Sequence, residues 1–191
     1  MAVLFENRSP PKSDMKNHLA LLLLVPILLS GCESMSVSEC KVADWGRVGY
    51  SDGARGVSDR RIASYTEDCG EAGIETDPQA YRKGWDAGIV NFCTPANGWR
   101  EGTLGNSGKA SVCQGQAGYA GFARYLQAGL QVHSTQEQMK RNTSESDRLQ
   151  KRLEASKSDE EKRRLRNDLR DIDRDQLNLR YLLTQQQLLG P

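Results

Sequence analysis

Cysteines are the side chains of this 191-residue sequence whose number and positions most directly indicate chemistry. There are five, and Cys32 stands apart from Cys40, Cys69, Cys93 and Cys113, which share one Gly-rich stretch. In an oxidising compartment an even number of cysteines in a short region indicates disulfides, here two bonds with three alternative pairings. We favour nearest-neighbour pairing, Cys40 with Cys69 and Cys93 with Cys113, and the other two pairings stay open.

A zinc site is the competing interpretation of the same four cysteines. No pair has C-x-x-C spacing, and His133 is the only histidine after Cys32. Structural zinc sites draw on closely spaced cysteine and histidine ligands. We therefore predict no metal site and no cofactor.

Catalytic candidates are few. Nucleophilic catalysis needs a histidine that takes the proton of a Ser or Cys, and His133 lies at a change in composition that is more typical of a linker. Acidic residues lie near aromatic ones at four places, Asp44, Asp52, Asp86 and Glu101 beside Trp45, Tyr50, Trp85 and Trp99. Such neighbours are typical of glycan-binding surfaces and of carboxylate glycan hydrolases. The alternative, which we favour, is that the aromatic side chains fill a core while the acids cap helices, so no catalytic residue is predicted.

The N-terminal segment contains a short apolar run. It spans residues 19–29, is interrupted only by Pro26, and follows Lys12 and Lys16. This length is about half of the roughly 20 residues that a membrane-spanning helix needs. The run therefore indicates an export signal over residues 1–31, whose true start is alternatively Met15.

The end of that run, Leu29-Ser30-Gly31-Cys32, resembles the bacterial lipobox, in which cleavage occurs before a lipidated cysteine. We expect lipid attachment at Cys32 and membrane contact through several acyl chains, which hold firmly where one chain does not. Glu33 occupies the position where Asp would retain a lipoprotein in the inner membrane, which favours the outer membrane facing the periplasm. The formal net charge of +1 gives no basic excess for binding nucleic acid, so no nucleic-acid partner is expected.

A Gly-aromatic-x-x-Gly pattern occurs three times and suggests a repeated structural unit. The matches are Gly49-Tyr50-Ser51-Asp52-Gly53, Gly84-Trp85-Asp86-Ala87-Gly88 and Gly98-Trp99-Arg100-Glu101-Gly102. Glycines also continue at helical spacing to Gly56 and Gly105. A helical glycine costs about 1 kcal/mol relative to Ala, so such stripes make sense where two backbones approach closely.

Two interpretations of these glycines stay open. Alternating strand patterns are nearly absent between Cys40 and Gln131, so we favour short helices over glycine turns with positive φ. Asp77 followed by Pro78 is typical of a helix start. We predict a helix from Pro78 to Phe92.

Composition divides the chain near His133. Residues 32–133 hold 16 of the 18 glycines and all three tryptophans, whereas residues 134–189 hold no Gly, Pro, Cys or Trp. This predicts a head domain over 32–133 and a charged helical tail over 134–189. Ser134 and Glu137 form a capping-box pattern, where we expect the helix of the tail to begin.

The tail has a coiled-coil pattern in its second half. Spacings of 4, 3, 4, 3 and 4 separate the residues of this seam, Leu165, Leu169, Ile172, Gln176, Leu179 and Leu183. At residues 156–158 the tail either folds back as an antiparallel hairpin or continues as one helix, and we favour the hairpin. Met139, Leu149 and Leu153 would then cover the seam incompletely, which predicts self-association or an envelope protein partner.

Some of these residues also resemble a known family. The pattern comprises a cysteine ahead of Asp44-Trp45, then Gly49, Asp52-Gly53, Gly56, Cys69, Asp77, Tyr81, Gly84, Gly88, Cys93-Thr94-Pro95, Gly102, Gly105 and Cys113. It looks like the DUF 2799 family of bacterial envelope proteins, which has no established function, and it covers about residues 40–115. The resemblance implies one exported, disulfide-containing domain, often in a small lipoprotein, and supplies no catalytic residues.

Together these patterns predict a mainly α fold. A small, Gly-rich, disulfide-stapled head of helices and loops is followed by a long helix or antiparallel helical hairpin. The expected function is that of a non-enzymatic structural or interaction module of the envelope. A peptidoglycan-binding module is the alternative, and a glycan hydrolase is a weaker one.

Overall fold

All regular structure in residues 34–191, the part that this computed structural model describes, is helical, which confirms the predicted mainly α fold. The predicted signal peptide and Cys32 lie outside the described residues. In chain order the elements are α1 Val37–Val42, α2 Trp45–Ala54, α3 Arg61–Glu71, α4 Pro78–Phe92, α5 Pro95–Thr103, a 3₁₀ helix Ser107–Cys113, α6 Tyr119–Ala155 and α7 Asp159–Gln187.

Short polar side chains start most of these helices. A capping side chain accepts a hydrogen bond from a backbone N–H that the helix itself leaves unpaired. Asp77 does this for Gln79 and Ala80 at distances of 3.0 and 2.9 Å, with Pro78 in the first turn. The predicted helix over Pro78–Phe92 is therefore confirmed at both ends.

Two disulfides hold the head. Cys40 pairs with Cys69, which ties α1 to α3, and Cys93 pairs with Cys113, which ties the end of α4 to the 3₁₀ helix. The favoured nearest-neighbour pairing is thus the one observed. Closing loops of 29 and 20 residues restricts the unfolded chain and contributes about 3 kcal/mol per bond.

Glycines bring two pairs of helices into backbone contact, α2 with α4 and α5 with α6. A Cβ atom added at Gly53 would lie 2.5 Å from the carbonyl oxygen of Trp85 on α4. In the second pair, a Cβ at Gly129 would lie 2.5 Å from the carbonyl oxygen of Trp99 on α5. The glycine cost within each helix is therefore offset by a helix–helix approach that any side chain would prevent.

The two helix pairs repeat one arrangement in register. Gly49 and Gly53 on α2 face the carbonyls of Tyr81 and Trp85, and their counterparts Gly98 and Gly102 on α5 face those of Phe122 and Leu126. Both glycines lie 49 positions further along the chain, and both partners lie 41 positions further. The structural repeat is accordingly a pair of helices, and two of the three sequence matches fall within the first copy.

The glycines that end the two stripes serve a different purpose. Gly56 and Gly105 follow α2 and α5 with φ of 64° and 81°. In this left-handed region glycine is strongly favoured. Their positions correct the expectation that they continue the helical stripes, and they show that both interpretations of the glycines apply, at different places.

The composition boundary at His133 falls inside α6. The prediction that a helix begins at Ser134 is wrong, because α6 is already formed from Tyr119 and continues without a break to Ala155. Thr135 is buried there, and its hydroxyl donates to Gln186 of α7 at 2.8 Å. Head and tail thus share one continuous helix.

The tail is an antiparallel hairpin, as favoured from the sequence. The chain turns at residues 156–158, and the Ser158 side chain caps α7 by accepting from the Glu161 N–H. Arg152 pairs with Glu161 near the turn, and Thr135 meets Gln186 at the other end. In the seam Leu165 is fully buried, while Leu169, Ile172, Leu179 and Leu183 are partly buried.

Candidate functional site

One buried carboxylate organises the first repeat. Asp52, on α2, is only 1% exposed. Its Oδ2 accepts from the hydroxyls of Tyr65 on α3 at 3.0 Å and Tyr81 on α4 at 2.9 Å, and its Oδ1 accepts from Arg55 Nη2 at 2.8 Å. A buried charge is tolerated where donors surround it. This Asp52 cluster, comprising Asp52, Arg55, Tyr65 and Tyr81, joins three helices at one point.

Both tyrosines of the Asp52 cluster are held neutral. Burial, followed by the hydrogen bond to Asp52, raises the pKa of Tyr81 well above its ordinary value. Burial is also the main cause that raises the pKa of Tyr65. At neutral pH the two hydroxyls are fixed donors, so the geometry is that of a structural network rather than of an acid and a base exchanging a proton.

Glu101 is the counterpart of Asp52 in the second repeat. It is 7% exposed, accepts from Asn106 Nδ2 at 2.8 Å, and pairs with Arg100 at 3.1 Å. Phe122, which has no hydroxyl, occupies the position equivalent to Tyr81. Both repeats keep a buried acid between the two glycines, but its partners differ.

An open cleft of about 520 Å³ lies beside the Asp52 cluster. Its wall carries both signs of charge, including Asp44, Arg47 and Arg55, and it extends to Ser34, the first described residue. The Asp52 oxygens that reach it are already occupied by three donors. The cleft therefore offers mixed polar contacts and no uncommitted buried group.

A second cleft, of about 310 Å³, lies between the repeats. Its lining includes Asp59, Arg82, Trp85, Gln114 and Gln116. The guanidinium group of Arg82 pairs with Asp59 at 2.6 Å and lies over the Trp85 ring. The Arg82 guanidinium group is therefore already paired and stacked within the chain.

The residues considered for a glycan surface are largely covered or paired within the chain. Trp85 is 3% exposed, and its indole N–H donates to the Val57 carbonyl at 2.8 Å. The Trp99 ring is partly covered near Gly190. Asp86 is exposed and paired with Arg82, whereas Glu101 is buried. Stacking on sugars needs an open aromatic face beside its carboxylates, and these contacts give that alternative no support.

His133 lies within a helix. Its position inside α6 corrects the interpretation of this residue as part of a linker. The Nδ1 atom is 3.3 Å from the Thr103 carbonyl oxygen, and the ring packs where a side chain at Gly105 would otherwise lie. Phe92 fills the equivalent place beside Gly56 in the first repeat. His133 therefore fills, in the second repeat, the place that Phe92 fills in the first.

Sequence reasoning missed the Asp52 cluster as a unit. Asp52 was singled out for its aromatic neighbour Tyr50, which is exposed and whose hydroxyl instead accepts from Asn91 at 3.1 Å. The true partners, Tyr65 and Tyr81, lie 13 and 29 positions away. The sequence did contain one indication of this cluster. Asp52 lies between Gly49 and Gly53, and an acid between two glycines that pack closely indicates a side chain within a helix–helix interface.

The described residues contain no group of three or more side chains arranged to hold a metal ion. Within the same part of the chain, no helix combines the length and apolarity needed to cross a membrane.

Fold and site together define a class: an all-helical, disulfide-bonded domain packed through paired glycines, with a helical hairpin continuing from it. A family model described as "Protein of unknown function (DUF2799)" matches residues 44–131, which is nearly all of the two repeats. The chain belongs to this family through that segment, which confirms the resemblance noted in the sequence. No curated protein and no solved structure matches the chain.

Proposed function

We propose that this protein is a lipid-anchored component of the bacterial cell envelope that acts through protein contacts, with a structural rather than an enzymatic role. The observation that carries the proposal is a concentration of exposed apolar side chains at the C-terminal end of the hairpin, which lies beside the head. They are Leu177, Tyr181, Leu182, Leu188 and Leu189. Large exposed apolar patches in a soluble domain are typical of interaction sites.

The anchor is supported by the sequence and by the contacts of the first described residues. The backbone N–H groups of Ser34 and Met35 donate to Asp68 on α3 at 2.6 and 3.2 Å. Cys32 precedes Ser34 by two residues, and two extended residues span about 7 Å. A lipid on Cys32 would therefore hold the head directly at the membrane surface, without a long tether. The absence of Asp at position 33 supports the outer membrane.

The helical hairpin gives this surface a fixed support. The α6 helix is packed on α5 through glycines and on α7 through the seam. The surface lies beside the head, because Gln186 of α7 accepts from Thr135 and Gly190 lies next to Trp99 of α5. That arrangement suits a protein that presents a rigid binding surface close to its anchored domain.

The experiment that tests the anchor compares the full chain with Cys32→Ser in cells fed a labelled fatty acid. We expect the full chain to take up the label and to sediment with outer-membrane vesicles, and Cys32→Ser to do neither. Cys40→Ser is the matched control, because it removes a cysteine without touching the lipobox and should keep the label. Equal labelling of Cys32→Ser and the full chain would overturn the lipid anchor.

The interaction role needs a separate test. A photocrosslinking residue placed at Tyr181 should give a defined crosslinked product, and the same residue at Lys151, an exposed position on α6, should not. Identical patterns from the two positions would argue against the hairpin end as the contact surface.

A further inference from the structure

The edge of α7 next to its seam with α6 carries four residues that form a patch. Asp173, Gln176, Leu177 and Arg180 are spaced i, i+3, i+4 and i+7, so they share one helix face. They alone line a shallow depression of about 210 Å³ on that face. We call these four residues the α7 patch.

Three members of the α7 patch have an unused interaction. Leu177 is 62% exposed, and Tyr181 beside it is 69% exposed. Among the described residues, neither Asp173 nor Arg180 takes part in an ion pair. The fourth member, Gln176, also belongs to the seam, and its Oε1 atom is buried. The exposed apolar side chain and the two charged ones are therefore the groups that a partner can reach.

The order of charges makes the α7 patch complementary to itself. An acid at one end and a base at the other lie about 10 Å apart along the axis, with Gln176 and Leu177 midway between them. A second copy that runs antiparallel would set Asp173 against Arg180 twice, once on each side of a two-fold axis. Leu177 of each copy would meet Gln176 and Leu177 of the other.

We propose that the α7 patch binds the α7 patch of a second copy of this chain, in an antiparallel, two-fold symmetric contact. The contact gives Asp173 and Arg180 each a partner of opposite charge and covers Leu177. A parallel arrangement would place like charges together, which is unfavourable.

A lipid surface fits the patch less well. Helices that lie on anionic membranes combine an apolar face with an excess of Lys and Arg, whereas this patch balances one acid against one base. The proposal goes beyond the envelope role proposed above and does not depend on the lipid anchor.

Charge exchange is the decisive experiment. The full-length chain, purified in a nonionic detergent, is examined by sedimentation equilibrium as wild type, Asp173→Arg, Arg180→Asp and the double variant. We expect a dimer for the wild type. Each single variant should dissociate at least about tenfold more readily, because the symmetry places two like-charge contacts in every dimer. The double variant restores opposite charges across the axis, and its dissociation constant should return to within about threefold of wild type.

Matched controls separate this contact from general charge effects. Asp175→Arg and Arg164→Asp make the same changes of charge at exposed positions on the other side of α7, and both should leave the dimer intact. Circular dichroism checks that every variant keeps its helices. A monomeric wild type, equal weakening by the control variants, or a double variant as weak as the singles would each overturn the proposal.

A crosslinking measurement locates the contact. Leu177→Cys treated with a short bismaleimide should give a covalent homodimer, because paired helices lie about 8–10 Å apart at their axes. Lys151→Cys, on α6, should remain monomeric under the same treatment. A dimer that persists in Cys32→Ser supports the α7 contact even if the lipid anchor is wrong. If Leu177→Cys gives no covalent homodimer, the α7 contact is refuted and the anchor is left untouched.

Discussion

Replacement of Gly129 by alanine tests whether the paired glycines hold the two repeats together. Gly129 lies in the middle of α6, where helix propensity alone predicts that alanine stabilises the fold by about 1 kcal/mol. The new Cβ would lie 2.5 Å from the Trp99 carbonyl oxygen and 2.8 Å from the Thr103 nitrogen. Both atoms belong to the backbone of α5, so no side chain can rotate out of the way.

The helices must then separate by about 0.5–1 Å, and a gap of that size forfeits a quarter to a half of each dispersion contact across the interface. Overpacking of this kind costs about 1–3 kcal/mol. The backbone clash places Gly129→Ala near the upper end, and the propensity gain reduces the net loss to about 2 kcal/mol. For a chain of this size that corresponds to a melting temperature lower by about 4–8 °C.

Gly70→Ala is the matched control for this variant. Gly70 is also helical, in α3, but an added Cβ there has nothing within 4 Å. We expect Gly70→Ala to be neutral or to stabilise by up to about 1 kcal/mol. The free energies of unfolding come from urea titrations followed by circular dichroism. If both alanine variants changed stability in the same direction and by the same amount, close packing through Gly129 would be refuted.

Three further predictions concern the head. Asp52→Ala should destabilise the fold by about 2–4 kcal/mol, because it leaves two buried tyrosine hydroxyls without an acceptor, while Asp86→Ala, in an exposed ion pair, should change urea unfolding by less than about 0.5 kcal/mol. Tyr65 and Tyr81 should add no pH dependence to stability below about pH 10, where unfolded tyrosine ionises. Above that pH stability should fall as the pH rises, since the folded pKa values of both tyrosines are raised; Tyr81→Phe should flatten that slope, and an unchanged slope would contradict the assignment. Cys93→Ser with Cys113→Ser should cost about 3 kcal/mol of unfolding free energy, and a loss below about 1 kcal/mol would mean that the bond constrains the unfolded chain little.

Local chemistry made several elements predictable. The Asp77-Pro78 start and the Ser158 cap depend on residues within four positions of each other, and both helices begin where these signals lie. The glycine stripes predicted a close helix–helix approach, because nothing else offsets several glycines on one face. The hairpin followed from a seam that needs a partner surface.

The helix against which each surface packs could not be predicted in the same way. The stripe at Gly98 and Gly102 predicts some close neighbour, but only the folded chain shows that this neighbour is α6 rather than α4. The same holds for Asp52, whose partners Tyr65 and Tyr81 come from two other helices. Short-range patterns indicate that a surface must be covered, and the topology decides which element covers it.

The wrong domain boundary has the same physical origin. Composition changes at His133 because α6 has two neighbours in succession: its first part meets the glycines of α5, and its second part meets the seam of α7. A helix that packs against another backbone needs small residues at the contact. A helix that packs against a leucine seam needs apolar residues at helical spacing among polar ones. Because α6 is one continuous helix through that change in composition, an alanine at Gly129 that displaces α5 should also shift the packing of α6 on α7. The proposed dimer contact on α7 is therefore expected to weaken in Gly129→Ala and to stay unchanged in Gly70→Ala, which sedimentation of the two variants can decide.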